Sequence, residues 1–325
     1  MRIQPSFPEF APLELAHKEL LEDYTGAFPP YSDYTFASLW CWNLEQKFAL
    51  ARLNDDLIVR FTDYTTNEPF LSFFSKNPAL SGVEGTAVAT IDAMFAFLQN
   101  EPSYLPYLKL VPEPSLSGMD LSDKYDVVED CDNHDYIYAL EDLVTLSGGK
   151  YMDHRNLIHR FQRRYISRIQ PLDLSRTETW QAVRQVCEKW ASDKQDNGGD
   201  VENDTLALQR LEEIVADVKL DGIGVYVDGA MVGFSIAELD QLEFATAIFE
   251  KADKSYVGVF PFLRKQSAIR LKTAGFQYLN LQQDLGVPGL RAMKKSWRPQ
   301  SYLRKFIIRQ RQSHSSSEDE NDTSG

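Results

Sequence analysis

Asp228-Gly229 separates two runs in which apolar and small residues alternate, "GIGVYV" and "AMVGFSIAEL". An Asp-Gly pair in that setting takes the left-handed backbone of a two-residue hairpin turn, so the flanking runs are expected to pair as antiparallel strands. That hairpin anchors the reading of everything around it. Before it, "RTETWQAVRQVCEKWAS" places Trp180, Val183, Val186, Cys187 and Trp190 at helical spacing. "DTLALQRLEEIVADV" is a second amphipathic helix, capped by Asp204 or Thr205. After it come a strand in "LEFATAIFE", a helix in "GVFPFLRKQSAIRLKTAG" stopped by Gly275, and a strand in "FQYLNL". A short helix at "PGLRAMKKS" and a strand at "YLRKFIIR" complete this half.

The first half repeats the pattern. Strands fit "KFALARL", "LIVRFTD" and "PFLSFFS", a helix fits "TAVATIDAMFAFLQN", "YLKLVPE" is a strand, and "YDVVED" with "DYIYAL" is expected to close the sheet. The order in each half is similar to that of the GNAT N-acyltransferase fold. The expected fold class is α+β: two tandem GNAT-like domains with mixed central sheets flanked by helices. Residues 1–148 form the expected N-terminal domain. Residues 149–311 form the C-terminal domain carrying the main pocket. Residues 312–325, polar and low in complexity, are expected to be a disordered acidic tail.

Four ordered stretches carry a more specific resemblance: "SDYTFASLW" (32–40), "LSGGKYMDHRNLIHRF" (146–161), "FEKADKSY" (249–256) and "NLQQDLGVPGLRAMKKSWRP" (280–299). Together they resemble the phosphatidylglycerol lysyltransferase C-terminal-domain family, in its soluble branch, related to the Fem-type peptidyltransferases. The resemblance implies transfer of an aminoacyl group from aminoacyl-tRNA. It departs at Met152-Asp153-His154-Arg155-Asn156, where one basic position is lost, and at Leu281-Gln282, where an Arg or Lys is usual.

Charge sets limits on partners. The net charge of −14 argues against nonspecific nucleic-acid binding by the whole surface, and no DNA partner is expected. Residues 291–311 nevertheless hold eight Lys or Arg and no acid, and residues 150–168 hold six against one Asp. In the second of these, Lys150, Arg155, Asn156 and Arg160 are the candidate tRNA or anion contacts, with Phe161 and Tyr165 interleaved. The same helix reads equally as a linker with its aromatics in the core. No apolar run approaches the roughly 18 residues of a membrane helix, and the N-terminus lacks a signal-peptide core, so a cytoplasmic location is expected. Cys41, Cys131 and Cys187 form no CxxC pair, so neither a disulfide framework nor a zinc site is expected. His154 and His159 are five apart, which is not a helical metal pair.

Acyl transfer needs a base for the acceptor and a groove for the acyl carrier. In a GNAT fold the carrier enters where the third and fourth strands splay, which places "FEKAD" and "NLQQDLG" at the mouth. Glu250 and Asp284 are the candidate catalytic acids there. The blander reading pairs Glu250 with Lys251 or a helix end and makes Asp284 the cap of the next turn. Lys251, Asp253, Asn280, Gln283, Arg291, Lys294 and Ser296 are the candidate walls. No cofactor is expected, because the acyl donor is a substrate. Acyl-CoA is disfavoured, since "KSYVGVFPFLRKQ" offers only Gly258 where a pyrophosphate loop carries more glycines. "LSGGKY" fails as a P-loop, and "DKQDNGGDVEND" is a poor calcium loop, read instead as an exposed acidic loop. Three functions follow: aminoacyl transfer to an amine or hydroxyl on a small molecule, peptide or lipid headgroup; acyl-CoA-dependent transfer; and ligand binding without catalysis.

Overall fold

Alternating apolar segments become strands of two mixed sheets in the computed structural model, which describes residues 5–63, 66–75, 86–195, 202–240 and 242–311. The acidic tail and residues 196–201 of the loop read at 193–204 lie outside the described residues. In chain order the first half holds β1 (Ala11–Pro12), α1 (Lys18–Thr25), α2 (Phe36–Trp42), β2 (Ala49–Leu53), β3 (Asp56–Thr62), β4 (Pro69–Ser75), α3 (Thr86–Leu98), β5 (Tyr107–Pro112), β6 (Tyr125–Glu129), β7 (Asp135–Ala139) and α4 (Leu140–Thr145). The second half holds α5 (Met152–Arg164), β8 (Ser167–Pro171), α6 (Thr177–Gln195), α7 (Glu202–Glu213), β9 (Leu220–Val227), β10 (Ala230–Leu239), β11 (Phe244–Ala252), α8 (Val259–Thr273), β12 (Tyr278–Asn280), α9 (Pro288–Ser296), β13 (Ser301–Leu303) and β14 (Lys305–Gln310). None of the described helices is long and apolar enough to cross a membrane.

The hairpin forms as its turn chemistry requires. Val227 pairs with Ala230, with Asp228 at φ 50° and Gly229 at φ 83° between them. β10 then pairs antiparallel with β11, and β11 runs parallel to β12 over three residues, from Phe244–Tyr278 to Thr246–Asn280. β12 stops there while β11 continues to Ala252, so the two strands part at their carboxyl ends.

One expectation is corrected. "DYIYAL" does not close the first sheet and "YLRKFIIR" does not complete the second. The sheets run β1-β2-β3-β4-β5-β14-β6 and β13-β7-β12-β11-β10-β9-β8. β7 therefore crosses into the second sheet, between β12 and β13, and β14 crosses back into the first, between β5 and β6. The segment read as a single final strand is two strands, and Arg304 is the residue at which the chain passes between sheets. Periodicity tells which residues form a strand; it does not tell which neighbour the strand takes. The halves are also joined by packing. One apolar cluster runs from Tyr34, Phe36 and Phe74 of the first half to Trp180, Leu211 and Phe249 of the second.

Candidate active site

The two exchanged strands begin with opposite charges. Asp135 opens β7 and Lys305 opens β14, and both are 0% exposed. A buried charge persists only when it is paired and hydrogen-bonded. Lys305 Nζ donates to Asp135 Oδ1 at 2.8 Å and to Gln283 Oε1 at 3.2 Å, and forms an ion pair with Asp33. Ser32, in the short turn after Pro29-Pro30, donates its backbone N–H to Asp135 Oδ2 at 2.7 Å and its hydroxyl to Asp135 Oδ1 at 2.6 Å. Asn280, the last residue of β12, donates to the Pro30 carbonyl at 2.7 Å and to Asp135 Oδ2 at 3.1 Å. Gln283 Nε2 donates to Asp33 Oδ1 at 3.1 Å. The hub thus draws on the first half, both exchanged strands and the end of β12. Burial works against the Lys305 charge, but the two carboxylates outweigh it and hold the ammonium above its usual range. Burial pushes the Asp33 carboxyl up, and Asp135 adds to the shift while Lys305 opposes it.

Against this hub lies a cavity of about 400 Å³. Ser32, Asp33, Gln282 and Gln283 form its polar side. Leu39 and Trp42 of α2, with Phe48, Phe61, Phe70 and Leu110, form apolar walls. Leu285 and Val287, half exposed at 51% and 50%, stand on its lip beside Asn203 and Asp204. An apolar chamber with a few convergent polar groups, at a junction of two structural units, is the usual form of a small-molecule site.

The pattern described as "Phosphatidylglycerol lysyltransferase, C-terminal" matches residues 27–309. The chain belongs to this family. Among solved structures, a conserved protein of unknown function from Bacteroides thetaiotaomicron superposes with a TM-score of 0.76 at 24% identity, covering 93% of this chain and 99% of that one. L-PGS from Bacillus licheniformis superposes at 0.59 with 15% identity, over 97% of this chain and 96% of its own. FemX superposes at 0.56 with 8% identity, over 92% and 96%. At these identities the likeness concerns the fold, an acyltransferase-type α+β pair of GNAT-like halves. No curated protein sequence matches the chain.

Seen in this family frame, the candidates at the strand split are held rather than free. Glu250 accepts from Arg264 Nη2 at 2.7 Å and Nε at 3.3 Å, and both side chains are under 10% exposed. The Arg264 guanidinium also lies 4.9 Å from the Trp297 ring centre, and His154 of α5 stacks on Trp297 at 3.9 Å. Asp284, fully buried, accepts two bonds from Arg291 at 2.8 Å, one from the Tyr136 hydroxyl at 2.5 Å and one from Gly286 N–H at 2.9 Å. Burial would raise its pKa, but Arg291, Tyr136 and Gly286 outweigh burial and hold it at about 2. A carboxylate so stabilised is a weak base at neutral pH. Arg291 is closed by Asp284 on one side and Asp132 on the other.

The remaining predicted residues divide. Asn280 and Gln283 belong to the hub, and Gln283 also lines the cavity. Lys294 is 5% exposed; its ammonium nitrogen donates to the backbone carbonyls of Leu281 and Gln282, the segment that leads into Gln283. Burial and the nearby Arg264 charge bring its pKa down to about 7. Lys251 lies 3.3 Å from the Trp190 ring centre and pairs at 3.1 Å with Asp204 on the lip. Asp253 ties the turn before α8 by accepting from Ser255 N–H at 2.9 Å and hydroxyl at 2.6 Å. Ser296 donates to the Met293 carbonyl at 2.6 Å within α9. On α5 the picture is mixed. Arg155 donates to the carbonyls of Leu146 and Gly148, so it caps the preceding loop. Lys150 pairs with Asp142 at 3.7 Å. Asn156 and Arg160 face solvent, as do Arg163 and Arg164, while Phe161 is fully buried. The linker and basic-surface readings of α5 both describe it, on opposite faces.

α5 also crosses the start of α8. Gly258, at φ +93°, abuts the Leu157 carbonyl, which a Cβ there would strike. The helix N-terminus where a GNAT fold would seat a pyrophosphate thus packs on α5 backbone. Sequence reading had not named Ser32, Asp33, Asp135 and Lys305 as site residues. Asp135 and Lys305 carry the signal of a charged residue at the head of an otherwise apolar strand, in "DYIYAL" and "KFIIR", and Ser32 and Asp33 open the "SDYTFASLW" stretch that carries the family resemblance.

Proposed function

We propose that the chain is an aminoacyltransferase that takes the aminoacyl group of aminoacyl-tRNA and passes it to an amine or hydroxyl acceptor at the cavity between its halves. The observation that carries this reading is the cavity itself, in a chain of this family: apolar walls meet Asp33, which lines the chamber and is paired with the Lys305 ammonium. The acceptor lone pair attacks the ester carbonyl, and the bond to the tRNA ribose oxygen breaks. Asp33 takes the proton that the acceptor loses and returns it to the leaving ribose oxygen, which departs as the tRNA hydroxyl. Burial raises its pKa, which improves it as a base, and Lys305 opposes that shift. In this reading Glu250 and Asp284 are positioning residues, because each is held by an arginine and neither lines the cavity. Arg160, Arg163 and Arg164 supply the exposed positive face for the tRNA backbone. The packing of Gly258 on α5 supports a donor other than CoA.

The test is filter binding of labelled total aminoacyl-tRNA, with uncharged tRNA and CoA as competitors, followed by single-turnover transfer with Asp33→Asn. Preference for charged tRNA, with transfer slowed about 100-fold or more in Asp33→Asn and binding retained, is expected. Equal binding of charged and uncharged tRNA, or competition by CoA alone, would sink the donor assignment. Normal turnover in Asp33→Asn would sink the base assignment.

A further inference from the structure

The loop that carries the chain from the first sheet to the second holds three side chains that the proposed transfer does not use. Glu129 closes β6, and Cys131 and His134 stand three positions apart on the turn that follows. Each offers one donor atom, and these atoms all lie within 4.8 Å of one another. Cys131 Sγ is 4.0 Å from Glu129 Oε2. A search for CxxC pairs misses this set, because its third donor comes from two residues upstream.

The surroundings suit an ion. His134 is buried, and its Nε2 lies 3.2 Å from the Lys305 backbone carbonyl. A ring N–H given to a carbonyl fixes the tautomer and leaves the other nitrogen as a lone-pair donor, the usual support of a metal-bound histidine. Arg304 holds the other oxygen of Glu129, Oε1, at 3.1 Å, which leaves Oε2 toward the thiol. The turn is shaped without any ion: Asn133 donates its N–H to the Asp130 carbonyl at 2.9 Å and its amide to Asp130 Oδ2 at 2.8 Å. Cys131 is exposed while Cys41 and Cys187 are buried, so an ion has a path in from solvent.

We propose that Glu129, Cys131 and His134 bind a borderline divalent transition-metal ion, Zn²⁺ foremost, with a remaining position open to water. A thiolate, an imidazole and a carboxylate are a zinc donor set, and a thiolate is a poor ligand for Mg²⁺ or Ca²⁺. Binding releases the Cys131 thiol proton to solvent. The ion would fasten the end of β6 to the loop that delivers Asp135 to the hub.

The test uses the tag-free full chain, reduced and stripped of metal, titrated with Co²⁺. A thiolate-to-cobalt charge-transfer band saturating at one ion per chain is expected, bleached by Zn²⁺ and untouched by Mg²⁺. Cys131→Ser abolishes the band, and Glu129→Gln weakens Co²⁺ binding by about tenfold or more. Both residues are exposed, so these variants are expected to keep the parent circular dichroism. No charge-transfer band, a band that survives Cys131→Ser, or unchanged affinity in Glu129→Gln would each overturn the proposal.

Discussion

Lys294 gives the sharpest thermodynamic prediction. Its ammonium nitrogen is buried against two backbone carbonyls, and burial with the Arg264 charge holds its pKa at about 7. In the unfolded chain a lysine titrates at about 10.4. Between these values the unfolded chain binds one proton that the native chain does not, so stability rises with pH, by about 1.4 kcal/mol per unit where titration is complete. Integrated from pH 7 to pH 9, with the native group half-charged at the start, the gain is about 2 kcal/mol. Lys294→Met removes this titration and leaves side-chain length nearly unchanged. At pH 7 the variant escapes the burial penalty but deprives two carbonyls of a donor, at about 1–3 kcal/mol each, so its stability lies within about 2 kcal/mol of the parent. Urea unfolding at pH 7, 8 and 9 reads the difference. The parent is expected to gain about 2 kcal/mol on the variant across that range. Parallel pH profiles for the two proteins would refute the reasoning, because they would mean that Lys294 carries the same charge folded and unfolded.

Three further outcomes follow from the geometry. Lys305→Met leaves Asp33 and Asp135 buried without their counter-charge and is expected to cost about 3–5 kcal/mol in urea unfolding of the metal-free protein; a loss under about 1 kcal/mol would mean the hub is not ionised. Gly258→Ala combines a left-handed backbone with a collision at Leu157 and is expected to lose more than about 2 kcal/mol, whereas Gly275→Ala, at φ +100° with nothing within 4 Å, loses only about 1–2; equal melting temperatures for the two would dismiss the close approach of α5 and α8. Arg160→Ala with Arg163→Ala is expected to lower the slope of log affinity for aminoacyl-tRNA against log salt by roughly 1.5, and an unchanged slope removes α5 from the RNA surface.

What was legible beforehand had local causes. Asp228-Gly229 announced its hairpin because few residues tolerate that backbone, and Gly275 stopped α8 for the same reason. The amphipathic helices followed from spacing, and the parting of β11 from β12 was what the resemblance to the GNAT fold implied. The exchange of β7 and β14 was not legible, since "DYIYAL" and "KFIIR" satisfy either sheet equally well. Glu250 was read beside its neighbours in sequence, yet its partner Arg264 lies one helix away. Asp284 was correctly read as a turn cap in one sense, accepting from Gly286 N–H, but the arginine seven residues on decides its chemistry. Asp33 and Lys305 gain their meaning only when segments 272 residues apart in sequence meet, and no short window contains both.

The exchange also bears on how a substrate reaches the cavity. Asp135 and Lys305 are the first residues of the two crossing strands, so the polar side of the chamber is built where the chain changes sheets. Moving the halves apart would have to unpair β7 from β12 and β13, unpair β14 from β5 and β6, and separate three buried charges. Breaking the charges alone costs several kcal/mol, before any ladder hydrogen bond is counted. The halves therefore act as one frame, and the cavity's lining reaches solvent most at Leu285 and Val287, with Asn203 and Asp204 also in the lining. There the Lys251–Asp204 ion pair is 12% and 17% exposed and sits beside two half-exposed apolar side chains. In the proposed reaction the apolar walls would take a hydrophobic group of the substrate and Asp33 the reacting end, so both would be placed by one preformed chamber.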